Sequence, residues 1–380
     1  MSPTAVIALF WIALFGCVAS YVLYPLVLKL LPARQAKPVD PNSPLPSVSL
    51  IIACRNESVR LRGKLDNALR IEHKPLEIIV ASDASDDDSD AIVQEYASRG
   101  VRLVRSPERR GKEYAQGLAV AAATGEVLVF SDAGTELPPD SIGIIAEDLR
   151  DPAIGAVSSE DVFISSDGKL VGEGAYVRYE MWLRRLESQR AGLVGLSGSF
   201  FAVRRSVVTG RWDPSIPSDF TCALHTVRAG KLAITDGRVR GIYRDIKDPS
   251  KEYGRKLRTV VRGMTAVARS AEVLNPFRYG LFAFQVWGHK IMRWLVPWFM
   301  LLLLVTSIVL APRHVFFSTM LALQIAGYAV VLLGHVAPGI RSLVPVRLAY
   351  FFVQANLALL HAGIEFLRGR RIVTWEPSAR

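Results

Sequence analysis

The sequence predicts an α/β fold: a doubly wound sheet with helices on both faces, set between apolar segments long enough to cross a membrane. Three observations predict it. Half of the 380 residues are hydrophobic and mean hydropathy is +0.25, although the chain carries a net charge of +11. Long uncharged runs sit at both ends of the chain. Between them, short β-branched apolar runs alternate with stretches of helical periodicity. Hydropathy this high excludes a disordered polyelectrolyte. The basic excess alone would suit a nucleic-acid binder, but the basic residues gather beside the apolar runs without interleaved aromatics, so no nucleic-acid partner is expected. Cys17, Cys54 and Cys222 are far apart and form no C-x-x-C pair, which excludes a disulfide framework or a structural zinc site.

Residues 2–28 contain no charge and, at 1.5 Å per residue, exceed a hydrocarbon core of about 30 Å. Met1–Val6 has no Lys or Arg, so the segment reads as a retained anchor and not as a cleaved signal peptide. Lys29, Arg34 and Lys37 follow it, and the positive-inside rule then places the next domain in the cytoplasm. Trp294–Pro312 and Val315–Ile340 are two further spans. Leu348–Ile364 is shorter and holds Gln354, Asn356 and His361, leaving a third crossing or an interfacial helix both open. Three crossings would carry the Arg368, Arg370 and Arg371 cluster to the far side, against the charge rule.

In the soluble middle, Ser47–Ala53, Leu76–Ala81, Val101–Val104 and Glu126–Ser131 read as buried strands, with helices over Val59–Arg70, Asp88–Ser98 and Glu113–Thr124. Strand–helix alternation at this spacing predicts a parallel sheet, whose ligands bind beyond the carboxyl ends of the strands. Polar clusters stand at those ends: Cys54-Arg55-Asn56-Glu57, then Ser82-Asp83 through Asp90, then Ser131-Asp132-Ala133-Gly134. Any one of them could cap the next helix. Three on successive strands of one sheet point to a ligand. No G-x-G-x-x-G follows a strand, and Gly111-Lys112 lacks the remainder of a Walker loop, so a dinucleotide fold and a P-loop NTPase are both excluded.

With these residues in view, the chain resembles the membrane-bound family-2 glycosyltransferases, whose nucleotide-binding domain has the GT-A fold. The resemblance covers roughly Pro46 to Arg262 and, loosely, the flanking apolar helices. The strand Pro46–Glu57, with Ala53, Arg55 and Glu57 at its end, is similar to the family's opening strand. Asp83 is similar to the aspartate that reads the uracil of a UDP-sugar, and Gly111-Lys112 matches the segment after it. Asp132 stands where the family's D-x-D begins. Gly195–Arg205, including Gly198, looks like the loop and strand that face the acceptor. Asp219 falls at the place of the catalytic aspartate. Three positions depart from the pattern: Gly134 replaces the second aspartate of D-x-D, Ser218 replaces the acidic residue before the catalytic one, and Arg255-Lys256-Leu257-Arg258 stands in the region of Q-x-x-R-W without its tryptophan.

The resemblance implies an inverting hexosyltransferase. It would move a sugar from a nucleotide sugar, a UDP-sugar in the first instance, to a lipid-linked or growing polysaccharide acceptor of exopolysaccharide or envelope glycan synthesis. Asp219 is the expected general base, and Asp132 the expected ligand of Mg²⁺ or Mn²⁺. Ala53, Arg55, Glu57, Asp83, Lys112, Asp132, Gly198 and Arg258 are the expected substrate contacts, Lys112 and Arg258 toward phosphate. Lys112 also admits a plain surface role, and Asp219 a helix-capping one. Glu160 and Asp161 read as an acidic pair at a strand end and receive no role.

Lys251, Arg255, Arg258 and Arg262 fall on one arc of a helix, with Tyr253, Leu257, Val260, Met264 and Val267 opposite. Such a stripe suits membrane lipid, substrate pyrophosphate or an acceptor phosphate, and equally a helix packed on the catalytic domain. The expected organisation is an anchor over 1–32, a GT-A domain over 41–245, interfacial helices over 246–292, membrane helices over 293–367 and a basic tail over 368–380, in a bacterial inner membrane. Two other readings remain at this point: a processive synthase of the cellulose, chitin or hyaluronan type, and a catalytically degenerate scaffold that binds export-complex proteins.

Overall fold

A computed structural model describes residues 2–35, 39, 40, 42–164, 175–244 and 249–370. Lys37, Arg371, the rest of the expected basic tail and the side chain of Lys251 lie outside the described residues. The chain divides into two compact units. Among the described residues, one gathers those up to Leu30, Glu252–Val261 and 283–370; the other comprises Leu31–Lys251 and Arg262–Phe282.

The apolar unit opens with α1 (Pro3–Leu30), whose Ser2 side chain caps Ala5 N–H at 3.3 Å. In the second unit the strands are β1 (Val48–Cys54), β2 (Leu76–Ser82), β3 (Val101–Arg105), β4 (Val127–Asp132), β5 (Ile154–Ile164), β6 (Phe200–Arg204) and β7 (Leu232–Arg244). Its helices are α2 (Ser58–Leu69), α3 (Ser89–Glu95), α4 (Lys112–Ala122), α5 (Ser141–Asp148), α6 (Ala175–Ser188) and α7 (Ser218–Arg228). Helix α8 (Pro249–Arg269) has residues in both units, and α9 (Pro276–Arg313), α10 (Val315–Val336) and α11 (Val344–Leu367) complete the chain.

The seven strands form one sheet in the order β3-β2-β1-β4-β6-β5-β7. Alternation of side chains across the pleat divides its core in two. Leu50, Ile52, Val80 and Val129 face Leu61, Leu65, Ile92, Ile142 and Ile145 of α2, α3 and α5. Ile51, Ile79, Leu128 and Phe130 face Ala115 and Ala119 of α4 and Cys222 and Ala223 of α7. Every residue of β1 is buried, which is why its sequence is a continuous apolar run.

The wholly parallel sheet expected from the sequence needs a correction. β1 to β4 are parallel, but β6 runs antiparallel to both β4 and β5. Phe200–Val203 is an apolar run of four buried residues followed by Arg204, and such a run does not by itself fix the direction of pairing. A second correction concerns Glu160 and Asp161: they lie inside β5, not at its end.

In the apolar unit, α1 and α9 approach closely at small residues. A Cβ on Gly16 would collide with the Phe299 ring, and one on Gly288 with the ring of Tyr24. Small residues at such contacts are how membrane helices pack without a hydrophobic driving force. Phe10 joins the two helices to α10 through edge contacts with Phe316 and Phe317 at 5.9 and 5.0 Å. Gln324 of α10 donates to Ser307 of α9 at 2.8 Å. α1, α9, α10 and α11 are each long and apolar enough to cross a membrane. The Leu348–Ile364 stretch is thus part of a helix of 24 residues.

Candidate active site

The carboxyl ends of β1, β2 and β4 meet because their registers align. Ala53 pairs with both Ala81 of β2 and Asp132 of β4. Past the end of β1, Asn56 has φ +53°, and past β2, Ala84 has φ +51°, two non-glycine residues in the left-handed region. Hydrogen bonds across the two turns hold them there. Asn56 N–H donates to Ser85 Oγ at 3.2 Å and Asn56 Oδ1 accepts from Asp86 N–H at 3.1 Å. Arg55 donates to the Asp83 carbonyl at 3.0 Å, to the Ala84 carbonyl, and to Asp86 Oδ2 at 3.1 Å. Glu57 N–H donates to Ser89 Oγ at 2.9 Å, and its carboxylate pairs with Arg60 at 3.3 Å. Arg55 and Glu57 therefore brace the acidic turn after β2.

Asp83 is buried at the base of that turn. Its Oδ1 accepts from the backbone N–H groups of Arg110 and Gly111 at 2.9 and 3.0 Å, and its Oδ2 from Gly111 at 3.0 Å. Gly111 has φ +100°, so a residue with a Cβ would be strained there. This clamp fixes the point at which α4 begins, and α4 begins with Lys112.

Lys112 is buried; its Nζ donates to Asp132 Oδ1 and to the Gly198 carbonyl, the latter at 2.8 Å. Gly198 also meets Asp219: a Cβ at position 198 would lie 3.1 Å from Asp219 Oδ2. Asp219 is the second residue of α7, half-buried in the first turn, with Pro217 at the N-cap position. Lys112, Asp132, Gly198 and Asp219 thus converge from four separate segments. Arg258 is half-buried on α8, among the residues that cluster with the apolar unit.

Other residues of the site carry no motif. Lys64 of α2 is buried beneath β4; its ammonium donates to Ser131 Oγ at 2.7 Å and to the Thr135 carbonyl at 2.5 Å. Burial pulls its pKa down to about 7 against the opposing field of Asp132. The signal for it was present in the spacing, since Leu61, Lys64, Leu65 and Ala68 share the buried face of α2. Beside the loop from Gly195 to Ser199, Asp161 Oδ1 accepts from Ser197 Oγ at 2.7 Å and from Tyr243 Oη at 2.9 Å. Burial raises the Asp161 carboxyl despite these donors, and burial together with the Asp161 charge pushes the Tyr243 phenol well up. Arg184 of α6 donates to the Gly195 carbonyl at 3.2 Å and to Ser158 Oγ at 2.6 Å. The loop from Gly195 to Ser199 is held from both sides.

Residues 49–211, which hold the acidic turns and the lysine-bridged carboxylate, match the family described as Glycosyl transferase family 2. Over that stretch the chain is similar to the family 2 glycosyltransferases. Over 173 residues it is 27% identical to a poly-beta-1,6-N-acetyl-D-glucosamine synthase of Staphylococcus epidermidis, covering 44% of this chain and 42% of that one. A synthase of the same description from Staphylococcus aureus (strain COL) is 25% identical over 176 residues, with the same shares. The chain therefore matches less than half the length of these curated relatives. Among solved structures, the mannosyltransferase PcManGT of Pyrobaculum calidifontis, in complex with GDP-Man and Mn2+, superposes with a TM-score of 0.73 at 21% identity. The match covers 96% of this chain and 100% of that one, and at this identity it speaks for the GT-A fold alone.

The site offers a sparse set of donors for a metal. Among the described residues no three His, Cys, Asp or Glu side chains come together in a way that could hold one. Gly134 removes the second carboxylate, and Asp132 Oδ1 is engaged by Lys112. Asp132 thus fits a divalent ion only in the manner common for Mg²⁺, one carboxylate completed by phosphate oxygens and water.

Proposed function

We propose that the chain is a membrane-bound glycosyltransferase that transfers a sugar, with inversion, from a nucleotide sugar to a lipid-linked or growing polysaccharide acceptor. The observation that carries the reading is the Lys112 ammonium held between Asp132 and the Gly198 carbonyl, with Asp219 Oδ2 3.1 Å from where a Cβ on Gly198 would stand. A cation for the leaving diphosphate and a carboxylate for the incoming hydroxyl thus meet at one residue of the loop.

In this reading Asp219 takes the proton of the acceptor hydroxyl as that oxygen attacks the anomeric carbon. The bond from the anomeric carbon to the diphosphate oxygen breaks on the opposite face, which inverts the configuration. Charge developing on the diphosphate is met by Lys112, with Arg258 a further candidate contact. Asp83 uses two backbone donors and keeps lone-pair capacity for an N–H of the nucleobase. A divalent ion bound at Asp132 would neutralise further phosphate charge. Ala53 and Glu57 line the nucleotide side, and Gly198 leaves room for the acceptor because a side chain there would press on Asp219.

The test is release of nucleoside diphosphate by detergent-purified protein across a panel of nucleotide sugars, with UDP-sugars first, membrane lipid extract as acceptor, and Asp219→Asn as control. Release from one donor, lost in the variant, supports the reading. Silence across the panel sinks it in favour of the scaffold. A second reading, processive synthesis, is favoured by the similarity of the chain to polysaccharide synthases. The absence of a tryptophan in Arg255–Arg258 favours single addition, and product length on a gel separates the two. Lys29 in the last turn of α1 and Arg34 beyond it support, by the positive-inside rule, a catalytic domain on the cytoplasmic side of a bacterial membrane.

A further inference from the structure

One buried ion pair stands beside this site without a part in the chemistry. Arg262 of α8 donates through Nη2 to Glu113 Oε1, and the two side chains are only 11% and 4% exposed. Glu113 is the second residue of α4, directly after Lys112. Its backbone carbonyl accepts from Trp212 Nε1 at 2.7 Å. Trp212 in turn stacks on Phe130 of β4, with ring centroids 5.4 Å apart, and lies against Gly117, where a Cβ would come within 2.8 Å of its ring. The first turns of α4 are therefore fixed by Asp83 from below, Trp212 along one side and Arg262 at the carboxylate.

Stability alone does not account for the pair. Burying two charges costs several kcal/mol of desolvation per ion, and an apolar pair of equal volume often serves as well. The network is also incomplete. Glu113 Oε2, Arg262 Nε and both amide atoms of Gln116, one helical turn further on, are buried with no hydrogen-bond partner. Unsatisfied buried groups of this kind weaken a fold, and they are tolerated where geometry matters more than stability.

We propose that Arg262 is a positioning residue for the transfer reaction: through Glu113 it sets the first turn of α4, and so directs the Lys112 ammonium between Asp132 and the Gly198 carbonyl. The inference rests on the reading of Lys112 as the cation for the leaving diphosphate. Arg262 belongs to the basic stripe of α8, but its guanidinium is spent inside the domain and not on lipid or substrate.

A double-mutant cycle tests this on the full-length protein in detergent, with donor KM, kcat and thermal midpoint measured for Lys112→Ala, Arg262→Gln and the double variant. Arg262→Gln should raise donor KM roughly tenfold or more, as expected when a binding group is displaced, and should also lower the thermal midpoint, because it leaves the Glu113 carboxylate buried without its cation. In the Lys112→Ala background the same change should add less than about twofold, because the group it positions is gone. Arg262→Lys, which keeps the charge without the guanidinium fork, should recover part of the loss and covers the case in which Arg262→Gln fails to fold. Additive effects in the double variant, or an unchanged donor KM in Arg262→Gln assayed well below its thermal midpoint, would overturn positioning while leaving the role of Lys112 intact. An unchanged donor KM in Lys112→Ala would overturn the reading of Lys112 and this inference with it.

Discussion

At the scale of single residues, Asp219 and Asp148 are carboxylates with different parts to play. Asp219 stands half-buried in the first turn of α7. In its proposed role of general base it would be worth roughly 10²–10⁴ in rate. Asp219→Asn should therefore lose at least about two orders of magnitude in transfer while nucleotide-sugar binding, read by calorimetry, persists. Asp148 of α5 takes no part in the site. Burial, with Asp236 close by, pushes its carboxyl up to about 7. The folded state then holds more protons than the unfolded between pH 4 and 7, so stability falls as pH rises through that window. Asp148→Asn should raise the thermal midpoint at pH 8 and leave it nearly unchanged at pH 4; an equal rise at both would reject the assignment. The strand-end acids Asp83 and Asp132 were legible because polar residues after apolar runs stand out, and Asp219 through the family resemblance. The contacts of Lys64 and Asp161 were not, because their partners Ser131, Thr135, Ser197 and Tyr243 are distant in sequence and met only in the fold.

At the scale of elements, the entry to β4 depends on a contact that only glycine permits. A Cβ at Gly125 would come within 2.7 Å of the Val48 carbonyl carbon and 2.8 Å of Ser49 Oγ. Backbone cannot give way as a flexible side chain can, so Gly125→Ala should destabilise by about 1–3 kcal/mol. Gly143, inside α5, has nothing within 4 Å of its Cβ direction. Gly143→Ala should be neutral or stabilising by about 0.4–1 kcal/mol through helix propensity and unfolded-state entropy. Thermal midpoints of the two variants compared with the parent check both signs. Helices and strands up to β4 were readable from periodicity, to within one to three residues at their ends. The direction of β6 was not, because a short apolar run encodes burial and leaves the sense of pairing to its neighbours.

For the whole molecule, hydropathy and charge belong to different parts of the chain. α1, α9, α10 and α11 account for the hydropathy, and each has enough length to cross a bilayer. The protein should partition with membranes after alkaline carbonate washing and require detergent for extraction; release by carbonate alone would contradict spanning helices. With one carboxylate at position 132 and glycine at 134, metal affinity should be low until donor binds. Diphosphate release is therefore expected to fall on chelation and to recover with Mn²⁺ or Mg²⁺, with the half-saturating metal concentration dropping as donor rises. A metal requirement independent of donor concentration would point to ligands other than Asp132.

By itself the sequence determined the α/β class, the apolar segments, the order of the acidic strand ends and, through the resemblance these carry, the glycosyltransferase reading. Each is a local property, written in periodicity, hydropathy and residue type over a few turns or one strand. The tertiary structure alone decided that β6 turns against its neighbours, that Lys112 reaches both Asp132 and the Gly198 carbonyl, and that Arg262 leaves the basic stripe of α8 to pair with Glu113. Those contacts join residues 20, 86 and 149 positions apart. No local pattern encodes such a meeting, because each partner's choice depends on the packing of every element between them.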